Sequence, residues 1–195
     1  MAQYNGYRSV PHSSYQEWRN ATLGNGYNVD GYAGNQCWDF CALLWYQYNL
    51  RLITKPSGYG GAADCWLVSK DANAKRPFIK ITRKQDIKKG DVIVWNRGVY
   101  GSTTGHIAFA DEDYHGNSIR TLAQVPSRAP LYERSPVYTP TWTLDYFLGA
   151  FRNTMWTETP EPPTPPTPPY IPPAGNTDYK RDRFPWAIAV NHWDY

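Results

Sequence analysis

A cysteine placed at the start of an apolar helix is the feature that most constrains this chain. A short Gly-rich loop, residues 34–37, leads directly into residues 39–50, where apolar side chains recur at helical spacing and predict a buried helix. A thiol at a helix N-terminus faces unpaired backbone N–H groups and the positive end of the helix dipole, and both favour the nucleophilic thiolate. Cys37 is therefore the first candidate for a reactive group.

The partner that such a thiol needs is a histidine, and His106 follows later in the chain. It begins a short apolar run, residues 106–110, that is typical of a buried strand. Further strands are predicted at residues 78–82, 91–95, 118–125 and 147–152, and helical segments at residues 13–21 and 62–68. Helices followed by antiparallel strands predict an α+β fold.

Composition narrows the classes of function. The 195 residues include 9 Trp and 16 Tyr, which suits contact with carbohydrate or another polymer. The net charge of +3 is too small to indicate a nucleic-acid binder, and no run of about 18 apolar residues predicts a membrane span. The first six residues lack the pattern of a secretory signal, so we expect export by another route. With three cysteines, a disulfide framework is not expected, and Cys41 and Cys65 are interpreted as small buried hydrophobes.

A change in composition predicts three segments. Residues 1–154 form the predicted catalytic domain, residues 155–175 a Pro-rich linker, and residues 176–195 an aromatic tail that anchors or binds. Nine of the fourteen residues from 160 to 173 are proline, which predicts a stiff polyproline II spacer about 43 Å long. A 20-residue tail cannot build its own core, so its aromatic side chains need a partner surface or stay disordered.

Three motifs in this order resemble the CHAP domain, the cysteine, histidine-dependent amidohydrolases/peptidases of phage lysins and bacterial wall hydrolases. They are NVDGYAGNQCWDF at residues 28–40, KGDVIVW at 89–95 and GHIA at 105–108. The resemblance covers about residues 10–153 and implies a papain-like fold with N-terminal helices packed on an antiparallel sheet.

The resemblance also implies roles for individual residues. Cys37 corresponds to the nucleophile and His106 to the general base. Gln36 corresponds to the residue that forms the oxyanion hole together with the backbone N–H of Cys37.

The third member of the triad departs from the family pattern. The family usually has an acid where Ala123 stands and an Asn where Val125 stands. Gln124 is the nearest amide and is assigned as the orienting residue, with Asp111 and Asp113 as alternatives. Either an uncharged orienter suffices or the triad is weakened.

Calcium is the cofactor that the resemblance implies, although the chemistry itself needs none. The implied oxygen ligands lie in the loop before and at the start of the cysteine helix, and they are Asn28, Asp30, Tyr32, Gly34 and Asp39. The alternative is that Asp30 forms a turn and that Asp39 complements the helix dipole.

The sequence thus predicts a phage-type peptidoglycan hydrolase that cleaves an amide bond, as an endopeptidase or an N-acetylmuramoyl-L-alanine amidase. It would act on bacterial peptidoglycan, from the host cytoplasm before release to the wall or from a virion tail. Two alternatives stay open. One is a tail-associated structural component that contacts phage tail proteins through the Pro-rich arm and the tail, and the other is a non-catalytic wall-binding module with a decayed triad.

Overall fold

The computed structural model of the chain describes residues 12–32, 34–55, 60–124 and 136–157, together with the backbone of residues 3–4 and 7–8. The predicted linker and the predicted aromatic tail lie outside the described residues, apart from residues 155–157. The three-segment organisation therefore stays a prediction.

Four α-helices precede the main sheet in the described part of the chain. They are α1 (Tyr15–Thr22), α2 (Cys37–Tyr46), α3 (Asp64–Leu67) and α4 (Lys70–Asn73). Helix α1 begins where predicted, because the hydroxyl of Ser14 accepts the backbone N–H of Glu17 at 3.2 Å. Helix α2 is buried along residues 39–45, as the sequence predicted. No helix in the described ranges is long and apolar enough to cross a membrane.

Eight strands are described. They are β1 (Gln3–Tyr4), β2 (Tyr7–Arg8), β3 (Phe78–Ile81), β4 (Val92–Trp95), β5 (His106–Ala110), β6 (Ser118–Leu122), β7 (Thr141–Thr143) and β8 (Phe147–Asn153). The first two pair with each other, and the other six form one antiparallel sheet in the order β3-β8-β4-β5-β6-β7. The fold is therefore α+β, in agreement with the sequence prediction.

Strand β8 lies inside this sheet, between β3 and β4. Its Gly149 is required there, because a Cβ atom would come within 2.2 Å of the buried indole ring of Trp66. The indole and the ring of Phe151 pack at a centroid distance of 5.3 Å, which fixes α3 against β8.

The sheet separates two apolar clusters. Ile107 and Phe109 point from β5 toward helix α2 and join the larger cluster. Ala108 points to the opposite face, where the second cluster also contains Trp95 of β4. This alternation along β5 decides on which face each side chain of the candidate site lies.

Candidate active site

The N-terminus of α2 lies beside β5 at the point where β5 and β6 separate. The ladder between these strands pairs Phe109 with Leu122 and Ala110 with Thr121. Along a strand, successive N–H groups point alternately to its two neighbours. The N–H of Ala110 donates to the carbonyl of Asp91, on the β4 side, at 2.7 Å. The N–H of Ile107, three residues earlier, therefore points to the β6 side. That N–H is directed at the sulfur of Cys37. The predicted nucleophile therefore lies against the residue that directly follows His106.

Gln124 holds the backbone that leads into this helix. Its Oε1 accepts the N–H of Tyr27 at 2.8 Å. Its Nε2 donates to the carbonyl oxygens of Tyr27 at 2.6 Å and Gln36 at 2.9 Å. The side chain is fully buried, and these three bonds use its polar atoms. This geometry differs from the role of orienting His106 that the sequence predicted, because the amide binds the loop on the other side of the cysteine.

Asp39 fixes the same loop from within α2. Its Oδ1 accepts the N–H groups of Val29 at 2.8 Å and Asp30 at 3.3 Å, and its Oδ2 accepts that of Gln36 at 2.9 Å. Burial, and then the charge of Asp30, raise the pKa of Asp39 to about 7. The residue immediately before Cys37 is thus held at its N–H by Asp39 and at its carbonyl by Gln124.

The electrostatics of Cys37 differ from the sequence expectation. Burial raises the pKa of its thiol to about 11, although the N–H groups of Ile107, Trp38 and Cys37 itself act in the opposite direction. Part of the surface of Cys37 is exposed, although its thiol group is desolvated. Desolvation outweighs the hydrogen-bond donors here, so the thiol is neutral at pH 7. Cys41 and Cys65 are fully buried, as predicted.

His106 lies on the sheet face opposite α2 and is only 3% exposed. Burial lowers the pKa of its imidazole to about 3, so the ring is neutral at pH 7. Its ring stacks on the indole of Trp142 at a centroid distance of 3.9 Å and an interplanar angle of 14°. Trp95, its partner in the β4–β5 ladder, packs at 5.5 Å. Its Nε2 is buried and has no hydrogen-bond partner among the described residues.

The two alternative orienting residues have other partners. Asp111 accepts from the guanidinium of Arg19 at 2.7 Å, and Asp113 accepts from the ammonium of Lys88 at 2.8 Å. Neither carboxylate makes a hydrogen bond to His106 in the described part of the chain. The sequence has Ala123 where the family usually has an acid, and in the described ranges the Nε2 of His106 correspondingly has no hydrogen-bond partner.

Gln36 presents an amide close to Cys37. Its side chain is partly exposed, and its Nε2 donates to the carbonyl of Tyr32 at 2.9 Å. An amide nitrogen has two N–H groups, so one of them is available to a bound substrate. The backbone N–H of Cys37, in the first turn of α2, is the second donor that the sequence predicted for an oxyanion hole.

The predicted calcium ligands form one loop around Asp39. The carboxylate of Asp30 lies close enough to raise the pKa of Asp39, which is the repulsion that a bound cation relieves. Several of the implied ligands already accept hydrogen bonds. The carboxylate of Asp39 accepts three backbone N–H groups, and Oδ1 of Asp30 accepts the N–H of Tyr32 at 2.8 Å. The carbonyl of Tyr32 accepts from the side chain of Gln36. The donor set fits calcium in kind, because a carboxylate has about four acceptor positions and some stay open on both acids.

The aromatic side chains near the candidate site differ in exposure. Trp66 and Trp95 are buried and belong to the core. Tyr100 is 67% exposed and adopts a left-handed backbone conformation with φ of 43°. Its ring meets that of Trp142 edge-on at 4.9 Å. Trp142 is the site residue that the sequence reasoning missed, because β7 is a short strand between polar and proline residues with little apolar pattern.

The structure thus places a cysteine at the first residue of a buried helix, against a strand that begins with histidine, on an α+β scaffold. The CHAP domain model matches residues 15–124, which is more than half of the chain. The chain belongs to the CHAP domain family. The match includes Cys37, His106 and Gln124.

One solved structure agrees with this chain at the level of the fold, and a second is less similar to it. The structure of the wild-type endolysin LysIME-EF1 is 24% identical, with a TM-score of 0.53, and the match covers 72% of this chain and 64% of that one. The structure of Ly7917 is 15% identical, with a TM-score of 0.45, and the match covers 74% and 63%. The matched region thus spans less than two thirds of either protein. No curated protein matches the chain significantly.

Proposed function

We propose that this protein is a phage-type peptidoglycan hydrolase that cleaves an amide bond through an acyl-enzyme on Cys37. The observation that carries the proposal is the contact between the sulfur of Cys37 and the N–H of Ile107, which sets the thiol one residue along β5 from His106. Membership of the CHAP family and the fold shared with a named endolysin support the substrate class.

The first step is attack by sulfur. Both groups are neutral at pH 7, so His106 acts as a general base while the attack proceeds. It takes the thiol proton at the start of β5, where this strand is not paired with β6. The C–S bond forms and the carbonyl electrons move to oxygen. The N–H groups that point at the sulfur of Cys37 stabilise its charge during the transfer.

The second step breaks the amide. The N–H of Cys37 and the free N–H of Gln36 stabilise the oxyanion, and the imidazolium gives its proton to the leaving amine as the C–N bond breaks. A water molecule then attacks the thioester, His106 takes its proton, and the carboxylate product leaves while the thiol is restored.

Calcium, when bound, would be held by Asp30 and Asp39 with Asn28 and the carbonyls of Tyr32 and Gly34, and it would supply positive charge to the loop without entering the reaction. Its part is to strengthen the support that Asp39 already gives to the residue before Cys37.

Two observations favour a second function, a non-catalytic wall-binding module. The Nε2 of His106 has no partner in the described ranges, and the thiol of Cys37 has a raised pKa. In a decayed site neither group would be tuned for proton transfer. A role as a tail component that binds through the Pro-rich arm has no comparable support.

The test is digestion of purified peptidoglycans of defined chemistry, followed by mass analysis of the released fragments. The wild-type protein is expected to release fragments with one new amine and one new carboxylate, whose masses identify the bond. Cys37→Ala should release none, and Cys41→Ala, which alters a buried cysteine one turn further along α2, should keep the activity. A Cys37→Ala protein that still digests the wall contradicts the mechanism, and a wild-type protein that binds the wall without releasing fragments favours the binding module.

A further inference from the structure

The imidazole of His106 packs face to face on an aromatic ring, and its Nε2 makes no hydrogen bond within the described part of the chain. The rings of His106 and Trp142 are nearly parallel, at 14°, with centroids 3.9 Å apart. At that separation the two rings are in van der Waals contact over their faces. From this geometry we propose that Trp142 is the positioning residue of the catalytic histidine, and that it replaces the orienting side chain of the triad.

The Nε2 atom of His106 needs an explanation. His106 is 3% exposed, and its Nε2 is buried without a hydrogen-bond partner among the described residues. A buried polar atom without a partner is costly and has to be explained. An imidazole without such a bond can rotate about its side-chain torsions, and a general base that rotates loses alignment with the proton it takes. Something else must therefore fix the plane of the ring.

Strand β7 delivers the indole that does so. Trp142 stands opposite Ile119 of β6 in the ladder, on the face of the second apolar cluster. The indole N–H of Trp95, which is the ladder partner of His106, donates to the carbonyl of Thr143 at 2.6 Å. This bond joins the ladder partner of His106 to the residue that follows Trp142, so it holds β7 beside the strands that carry the stacked pair.

The stack also favours the charged state that the reaction creates. An aromatic face attracts a cation, and indole does so most strongly among the aromatic side chains. His106 carries a positive charge only after it takes the thiol proton, so the attraction to Trp142 is greater at that point than in the resting enzyme. The indole therefore both fixes the ring plane and offsets part of the cost of charging a buried imidazole.

The role rests on the proposed function, because positioning matters only if His106 acts on Cys37. The test uses the full chain and measures the rate at which iodoacetamide alkylates Cys37 at pH 7, mapped by peptide mass, which needs no cell wall. Trp142→Leu is expected to lower this rate about fivefold to tenfold, and Trp142→Phe, which keeps a stacking ring, to stay within about twofold. Tyr100→Leu is the matched control, because Tyr100 contacts Trp142 edge-on. It should leave the rate unchanged.

Thermal unfolding of each variant separates positioning from folding. A Trp142→Leu protein that melts like the wild type and alkylates at the wild-type rate overturns the inference, and so does a Trp142→Phe protein that loses as much as the leucine variant. If the leucine variant unfolds, the comparison of Trp142→Phe with Trp142→Tyr and His106→Ala decides: rates near wild type for both rings support the stack, and rates as low as that of His106→Ala overturn it. Rapid alkylation of a wild-type protein that releases no wall fragments contradicts the proposed function alone.

Discussion

The side-chain amide of Gln124 donates to the carbonyl oxygen of Gln36 at 2.9 Å, so the segment just after β6 holds the residue immediately before the predicted nucleophile. The same amide binds Tyr27 through both its N–H and its carbonyl. Three backbone groups of the active-site loop thus depend on one buried side chain.

Replacing Gln124 by leucine is expected to lower the free energy of unfolding by about 3 kcal/mol, because it leaves buried backbone groups without partners. Gln124→Glu, which keeps only the acceptor for Tyr27, should also destabilise. Urea unfolding measures both. If Gln124 instead orients His106, as the sequence predicted, kcat falls while the stability of the leucine variant stays close to that of the wild type.

Gln36→Ala is expected to lower kcat about 100-fold with little change in KM, because one of two oxyanion donors is lost. Its side chain is partly exposed and its amide nitrogen donates to the Tyr32 carbonyl at the protein surface, so the melting temperature should fall only slightly. Steady-state release of wall fragments measures kcat and KM. Gln36→Glu serves as the matched control of similar shape without the N–H donors, and a loss smaller than tenfold in both variants would exclude Gln36 from the oxyanion hole.

Stability should depend on pH through His106. Burial lowers the pKa of this group to about 3, below the value of 6.5 in an unfolded chain. The unfolded state binds the proton first, so the contribution of neutral His106 is complete above pH 6.5 and is lost as the pH falls toward 3. Between pH 7.5 and pH 5 the wild type should lose about 2 kcal/mol more than His106→Leu.

Urea unfolding at the two pH values measures this difference. His115→Gln removes an exposed histidine and controls for the loss of a histidine as such. Equal losses in the wild type and in His106→Leu would mean that the folded protein protonates His106 as readily as the unfolded chain does.

Calcium should raise the melting temperature of thoroughly chelated protein, since a ligand that binds only the folded state stabilises it. Wall cleavage should fall in chelator and return with calcium. Asp30→Asn removes one of the two loop carboxylates and should abolish the thermal shift. An unchanged melting temperature and unchanged activity in the chelated wild type would rule out a required metal.

The sequence predicted the local elements of the site more fully than their arrangement. Helix α2 and strand β5 were predictable because their apolar patterns are strong, and the capping hydroxyl of Ser14 was visible from Glu17 three residues later. The position of β8 between β3 and β4 was not, because strand order depends on pairing between distant segments. The last strand that the sequence predicted, at residues 147–152, lies inside the sheet.

The partners of single side chains were the hardest to foresee. Gln124 lies between the two positions where the family usually has its orienting residues, but its amide bonds are made with a loop that includes Tyr27, almost 100 residues earlier in the chain. The predicted thiolate character of Cys37 followed from the helix N-terminus alone, whereas the degree of burial, which raises its pKa, depends on the packing of α2 against β5.

Because β8 lies inside the sheet, we expect the site to form only after β8 has been synthesised. Cys37 and His106 precede residues 147–153 in the chain, so the ribosome makes them first, and until β8 is available β3 and β4 have no strand between them. In the nascent chain, β3 and β4 therefore stay without their shared neighbour until β8 is made. We infer that the thiol and the imidazole are assembled only after most of the domain has left the exit tunnel, so a chain that terminates before β8 has the reactive residues but lacks the sheet that aligns them.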